Sequence, residues 1–106
     1  MHKDWVTEDD LISFLGILAD FCGYEFSELD SDAILYGIEE TDYEKNKWYE
    51  YIFEGKDRAE FRLSQDVGTA VIFFEIRVKS EIQRKSEIAL YVLDYLRNRP
   101  HFMQNH

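Results

Sequence analysis

The chain is poor in the residues from which catalytic and metal sites are usually built. Of its 106 residues three are histidine and one is cysteine, and His2, His101 and His106 all lie close to the two ends. A lone Cys22 forms no internal disulfide and excludes a cysteine-based zinc site. No Ser, His and Asp set, Cys and His pair or metal-ligand cluster falls on a rigid element. Apolar runs are short too: none approaches the roughly 18 residues that a membrane span needs, and the opening MHKDWVTEDD has no apolar stretch behind its Lys, as a secretory leader would. These absences point to a cytoplasmic protein. With five glycines, one proline and no repeat, neither a flexible linker nor a phosphate-binding glycine loop is present. A single domain over 1–106 is expected, with 1–6 and 100–106 as loose tails.

Positive charge is the next scarcity. Residues 1–60 hold 17 acids against 5 bases, a net −12, whereas residues 61–106 hold 5 acids against 7 bases, a net +2. The stretch SELDSDAILYGIEETDYE, residues 27–44, has seven carboxylates and no Lys or Arg, and Glu25 precedes it. Such a field repels phosphate backbones and anionic lipid, so nucleic acid and membrane are excluded as partners. It attracts a basic protein. A calcium loop is excluded as well: starting from Asp30, the sixth position is Leu35 where glycine is needed and the twelfth is Thr41 where glutamate is needed.

What is present is a well-patterned core, with 45% apolar and 16% aromatic residues. Thr7 followed by Glu8, Asp9 and Asp10 opens a helix and Gly23 stops it, so helix one runs from Glu8 to Cys22. Leu11, Phe14, Leu15, Leu18, Phe21 and Cys22 recur with the helical period, and Ile12 and Ile17 widen the stripe beyond one face. Gly16 inside this helix costs up to about 1 kcal/mol against alanine and implies close packing on the sheet or on the second helix.

Four strands are expected next. Ala33 to Ile38 reads as a short strand, and KWYEYIFEG, RAEFRL and TAVIFFEIRVK alternate apolar with mixed positions at period two. Aligning the apolar faces places Phe53 opposite Ala59 and Tyr51 opposite Phe61, then Phe61 opposite Ile72 and Ala59 opposite Phe74. On the other face this register makes rows of Glu54, Arg58 and Glu75, then Ile52, Glu60 and Phe73, then Glu50, Arg62 and Val71. A last helix opens at Ser80 and Gln83 and closes at RNRP, with Ile82, Ala89, Leu93 and Leu96 inward and Ile88, Val92 and Tyr95 alongside. The expected fold is α+β: a four-stranded antiparallel meander with an N-terminal and a C-terminal helix packed on one face, in the order helix, four strands, helix.

A carboxylate pair able to act as acid and base would sit among Glu50, Glu54 and Glu60, but the face they share is flat and implies no pocket. No catalytic residue, metal or cofactor is therefore assigned. Association is the better use of the pattern. Glu25, Glu28, Asp30, Asp32, Glu39, Glu40, Asp42 and Glu44 are the residues expected to steer a basic partner, with Trp48, Ile52 and Phe73 as anchors and Glu50, Glu54 and Glu60 at their margin. In bulk the chain resembles bacterial immunity proteins, which are small, acidic and single-domain. That likeness of composition implies a non-catalytic inhibitor of a basic toxin, most naturally a nuclease whose cationic site the carboxylates would occupy. Two other classes fit. One is an acidic secretion chaperone or adaptor, a homodimer through the apolar helix one; the other is a small enzyme or ligand sensor using carboxylates with Tyr49 and Tyr51.

Overall fold

The computed structural model describes residues 2–69 and 71–98, with residues 2–4 described by their backbone alone. Its elements are β1 (His2–Thr7), α1 (Glu8–Phe21), α2 (Glu28–Glu39), β2 (Tyr49–Glu54), β3 (Arg58–Gln65), β4 (Val71–Lys79) and α3 (Ile82–Asn98). The class is α+β, and the sheet is antiparallel with strand order β1-β4-β3-β2. Ala70, expected on the apolar face, and the tail 100–106 lie outside the described residues.

Two elements differ from expectation. The segment expected as a strand from Ala33 to Ile38 is the second half of α2. Ser27 caps that helix and Asp30 completes a capping box, each side chain bonding the other's backbone amide. Within it Ile34 and Ile38 are buried one turn apart while Leu35 and Tyr36 are exposed, a helical and not an alternating pattern. The segment expected as a loose tail is β1, which pairs with β4 from His2 opposite Ile76 to Thr7 opposite Val71. Val6 is wholly buried on this strand. The element order is therefore β-α-α-β-β-β-α, and the fourth strand comes from the start of the chain.

The β2–β3 register is the expected one, with Tyr51 opposite Phe61 and Phe53 opposite Ala59. The β3–β4 register is not: Phe61 faces Ile76 and Ala59 faces Val78. Strand β3 continues to Gln65 before the chain turns, which slides β4 by four residues against the expected pairing. An even slide keeps every side chain on its face, so the apolar pattern cannot distinguish the two registers. The expected charge rows change with it. Glu54 and Arg58 now meet Lys79, Ile52 and Glu60 meet Arg77, and Glu50 and Arg62 meet Glu75, with Lys3 next in register.

Buried side chains of the three helices and of one sheet face form a single cluster, with Phe14, Phe53 and Phe74 its largest members. Each fully buried Phe or Leu contributes roughly 1.5–3 kcal/mol by leaving water. Helix α1 packs on β1 and β4, and α2 packs on β2 and β3. Helix α3 contributes Ile88, Val92 and Leu96. Ile82, Ala89 and Leu93, expected inward, are exposed, because the buried stripe follows a strict four-residue spacing one position away. The opening of α3 differs too: the Ser80 hydroxyl donates to the Glu81 carbonyl at 3.4 Å. Arg84 fastens α3 to the end of α1, donating to the Phe21 carbonyl oxygen and, at 2.8 Å, to Asp57 Oδ2.

Two glycines mark close approaches. A Cβ at Gly55 would run into the Gly23 carbonyl, where the β2–β3 hairpin meets the end of α1, and one at Gly37 would run into the Tyr49 ring. Gly16 is different, since a Cβ there would meet only Phe26 Cδ2 at 3.7 Å, an ordinary contact. Opposite outcomes follow for two identical substitutions. Gly37→Ala should cost about 1–3 kcal/mol by overpacking, whereas Gly16→Ala should gain up to about 1 kcal/mol in a helix interior. Urea denaturation of the two variants reads both signs.

Candidate functional site

The acidic run becomes a helix with an inside and an outside, and one of its carboxylates belongs inside. Asp30 is 5% exposed. Its Oδ1 accepts from the Tyr51 hydroxyl at 2.6 Å and the Tyr24 hydroxyl at 2.7 Å, and its Oδ2 accepts from the Ser27 amide and hydroxyl, both at 2.9 Å. Burial alone would raise the pKa of this carboxyl, but the hydrogen bonds from Tyr51, Tyr24 and Ser27 outweigh it and hold the group down at about 2. The same bonds to the carboxylate, with burial, raise both phenols. Tyr51 lies on β2, so this contact docks the start of α2 onto the sheet. Gly37 against Tyr49 docks its end.

With Asp30 and Ile34 turned inward, Glu28, Asp32, Glu39 and Glu40 face solvent, as do Glu25 before the helix and Glu44 after it. Asp42 is half-buried in a turn, bridged to Lys47 through backbone bonds, and its Oδ1 caps the Glu44 amide at 3.1 Å. Among the described residues none of these acids is in an ion pair. Three arginines are engaged elsewhere: Arg58 with Glu54 and Glu60, Arg62 with Glu75, and Arg84 with Asp57 and Glu87. Glu54, Glu60 and Glu75 of the sheet are thus paired, whereas the acids of α2 and its flanks are not.

The mixed sheet face holds the remaining expected residues, in two groups. Trp48 and Phe73 are brought together through Tyr43, whose ring stacks on Phe73 at 4.0 Å between centroids and meets Trp48 edge-on at 5.8 Å. Arg62 lies over the Trp48 ring, 4.3 Å from its centre, and Trp48 Nε1 donates to Asn46 Oδ1 at 2.8 Å. These aromatic anchors are half-buried by the chain's own loop. Ile52 stands apart from them, 43% exposed, in the row of Glu60 and Arg77. Glu50, Ile52, Glu60, Arg62, Glu75 and Arg77 line an open depression of about 570 Å³, in which acids and bases alternate.

The loop that carries Tyr43 is held firmly. The Tyr43 amide donates to the Gln65 carbonyl at 2.8 Å, the Ser64 hydroxyl to the Lys47 carbonyl at 2.7 Å, and the Gln65 amide to Thr41 Oγ1 at 3.0 Å. Asn46 takes a positive φ of 56° at the turn, which asparagine tolerates. Tyr43 and Trp5, the latter opposite Phe73, are members of this face that the sequence did not show, and Arg62, expected on it, stands over the Trp48 ring.

Cys22 is wholly buried, and burial first, then the charge of Asp57, pushes its thiol up to about 11, so it stays protonated at neutral pH. No group of three or more His, Cys, Asp or Glu side chains among the described residues could hold a metal ion. No helix of the described residues is long and apolar enough to cross a membrane. Comparison with family models, curated proteins and solved structures gives no match for this chain.

The Asp30 contact predicts a pH dependence with a defined sign. Its folded pKa lies below the ordinary carboxyl value of about 3.9, so its stabilisation is present above that value and is lost as pH falls through about 2. Wild-type stability should therefore decline between about pH 5 and 2, and Asp30→Asn should be less stable at pH 7 and show a flatter acid limb. Urea midpoints across that range check it, the difference between the two proteins isolating Asp30 from the relief of general charge repulsion.

Proposed function

We propose that this chain is a non-catalytic, cytoplasmic protein-binding module that uses the acidic surface of α2 to engage a basic protein. The observation that supports it most is the partition of charge. Glu25, Glu28, Asp32, Glu39, Glu40 and Glu44 are exposed and carry no ion pair among the described residues, while Arg58, Arg62 and Arg84 are committed to other acids. A surface kept uncompensated in this way raises the rate of encounter with a cationic partner. An inhibitor or immunity protein for a basic toxin, a nuclease above all, is the use that fits: carboxylates stand in for phosphates in the toxin's cationic site. In this reading the helices cover one sheet face, and the mixed face with its self-satisfied ion pairs takes a minor part. Asp30 is buried against the sheet and Asp42 is half-buried with Oδ1 on the Glu44 amide, so in this reading both add charge to the field while the exposed acids make the direct contacts.

The homodimeric chaperone reading rested on the apolar helix one and its glycine. Leu11, Phe14, Leu15, Leu18 and Ala19 of α1 are buried in the chain's own core, and Gly16 lies against Phe26, so no observation favours it.

Affinity capture from the source organism's lysate tests the proposal when wild type is compared with the triple variant Asp32→Lys, Glu39→Lys, Glu40→Lys. A basic protein retained by wild type at low salt, released at high salt and not retained by the variant is the expected result, as is loss of that protein's activity when the chain is added in equal amount. Retention of the same proteins by both chains would remove the acidic helix from the account.

A further inference from the structure

Helix α2 exposes more than charge. Leu29 is 81% and Tyr36 is 71% exposed, and they lie seven residues apart on the same helix. Seven residues make nearly two turns, so the two side chains share one line along the helix, within about 20° and separated by about 10.5 Å. That line is opposite Asp30, Ile34 and Ile38, which face the core. Asp32 and Glu39 run along one side of it and Glu40 extends it, all exposed. Two large apolar side chains in register, rimmed by unpaired carboxylates, have the layout of an anchor line with a charged margin.

We infer that this line is the docking edge of α2, and that its occupant is a basic amphipathic segment of a partner protein whose apolar side chains meet Leu29 and Tyr36 while its Lys or Arg side chains meet Asp32, Glu39 and Glu40. The inference rests on the proposed binding of a basic protein and adds its anchors. Charge decides the occupant. A second copy of this chain would bring Asp32, Glu39 and Glu40 against their equivalents, and an anionic lipid surface would be repelled. A basic segment is attracted along the whole line, and its apolar side chains take Leu29 and Tyr36 out of water. These two residues, and not Trp48 and Phe73, are the free anchors, because Tyr43 and Arg62 already cover the latter pair.

The test uses two fluorescent probes on the whole chain: an amphipathic helical peptide of leucine and lysine, about four turns long, and an oligolysine of the same charge. Binding is followed by anisotropy at low and high salt, and circular dichroism confirms that each variant keeps its fold. The leucine–lysine peptide should bind more tightly than oligolysine. The double variant Leu29→Ser, Tyr36→Ser should weaken it by about tenfold with the salt dependence unchanged. Asp32→Lys, Glu39→Lys, Glu40→Lys should instead flatten the salt dependence. Equal affinity for both peptides, indifferent to Leu29→Ser, Tyr36→Ser, would overturn the anchors and leave the acidic steering intact. Absence of salt-dependent binding by either probe would overturn both. A loss that follows Ile52→Ser instead would move docking to the sheet, and sedimentation showing a dimer broken by Leu29→Ser, Tyr36→Ser would make the line a self-interface; either result overturns the inference.

Discussion

A single buried carboxylate organises the acidic half of the molecule. Asp30 caps its own helix through Ser27 and, with its other oxygen, accepts from Tyr24 and Tyr51. One side chain therefore starts α2, orients it and docks it on β2. A buried carboxylate without partners would be costly, and here each oxygen receives two donors, so the charged form is the favoured one. Everything about the outer surface of α2 follows from that orientation. Were the helix turned by a third of a revolution about its axis, Ile34 and Ile38 would meet water and the exposed acids would meet the core.

The distribution of ion pairs extends the same logic. On the sheet, acids and bases face one another across strands, as in the row of Glu50, Arg62 and Glu75, and each such surface pair contributes little to stability. Their effect is on the outside field. Because Arg58 and Arg62 spend their charge on sheet carboxylates, the sheet is nearly self-compensated, and the uncompensated acids lie on α2 and its flanks and at Glu8, Asp9 and Asp20 of α1. In the proposed reading, recognition is a matter of one helix, its charge and the exposed side chains of Leu29 and Tyr36.

Much of the fold was legible in the sequence where local pattern and tertiary demand agree. Helix α1 was readable from Thr7 to Gly23, and the β2–β3 hairpin from its alternation and its short Gly55-Lys56-Asp57 loop. The β3–β4 register was not, because a slide of four residues preserves both faces, and because Arg62 finds an acid in the true register just as Arg58 did in the expected one. Ala33 to Ile38 misled through its unbroken apolar run, although the Ser27 and Asp30 spacing was a legible helix start and Ile34 with Ile38 a legible helical pair. His2–Thr7 was passed over because nothing local separates an edge strand from a tail; its partner β4 lies some seventy residues away. Of the site, the acidic surface was legible as composition. Its division into one structural aspartate and several free acids was not, since that depends on where Tyr24 and Tyr51 arrive. The coverage of Trp48 and Phe73 by Tyr43 likewise depends on contacts distant in sequence.

The most direct measurement is the pKa of Asp30 itself, followed by carbon-detected NMR of its carboxyl group as pH is lowered in the intact protein. A value of about 2 is predicted, because the four donors outweigh burial. A value at or above the ordinary 3.9 or so of an aspartate would contradict the account: burial would then be the stronger effect, the carboxylate would not be held by Tyr24 and Tyr51, and the outward presentation of the α2 acids would lose its physical basis.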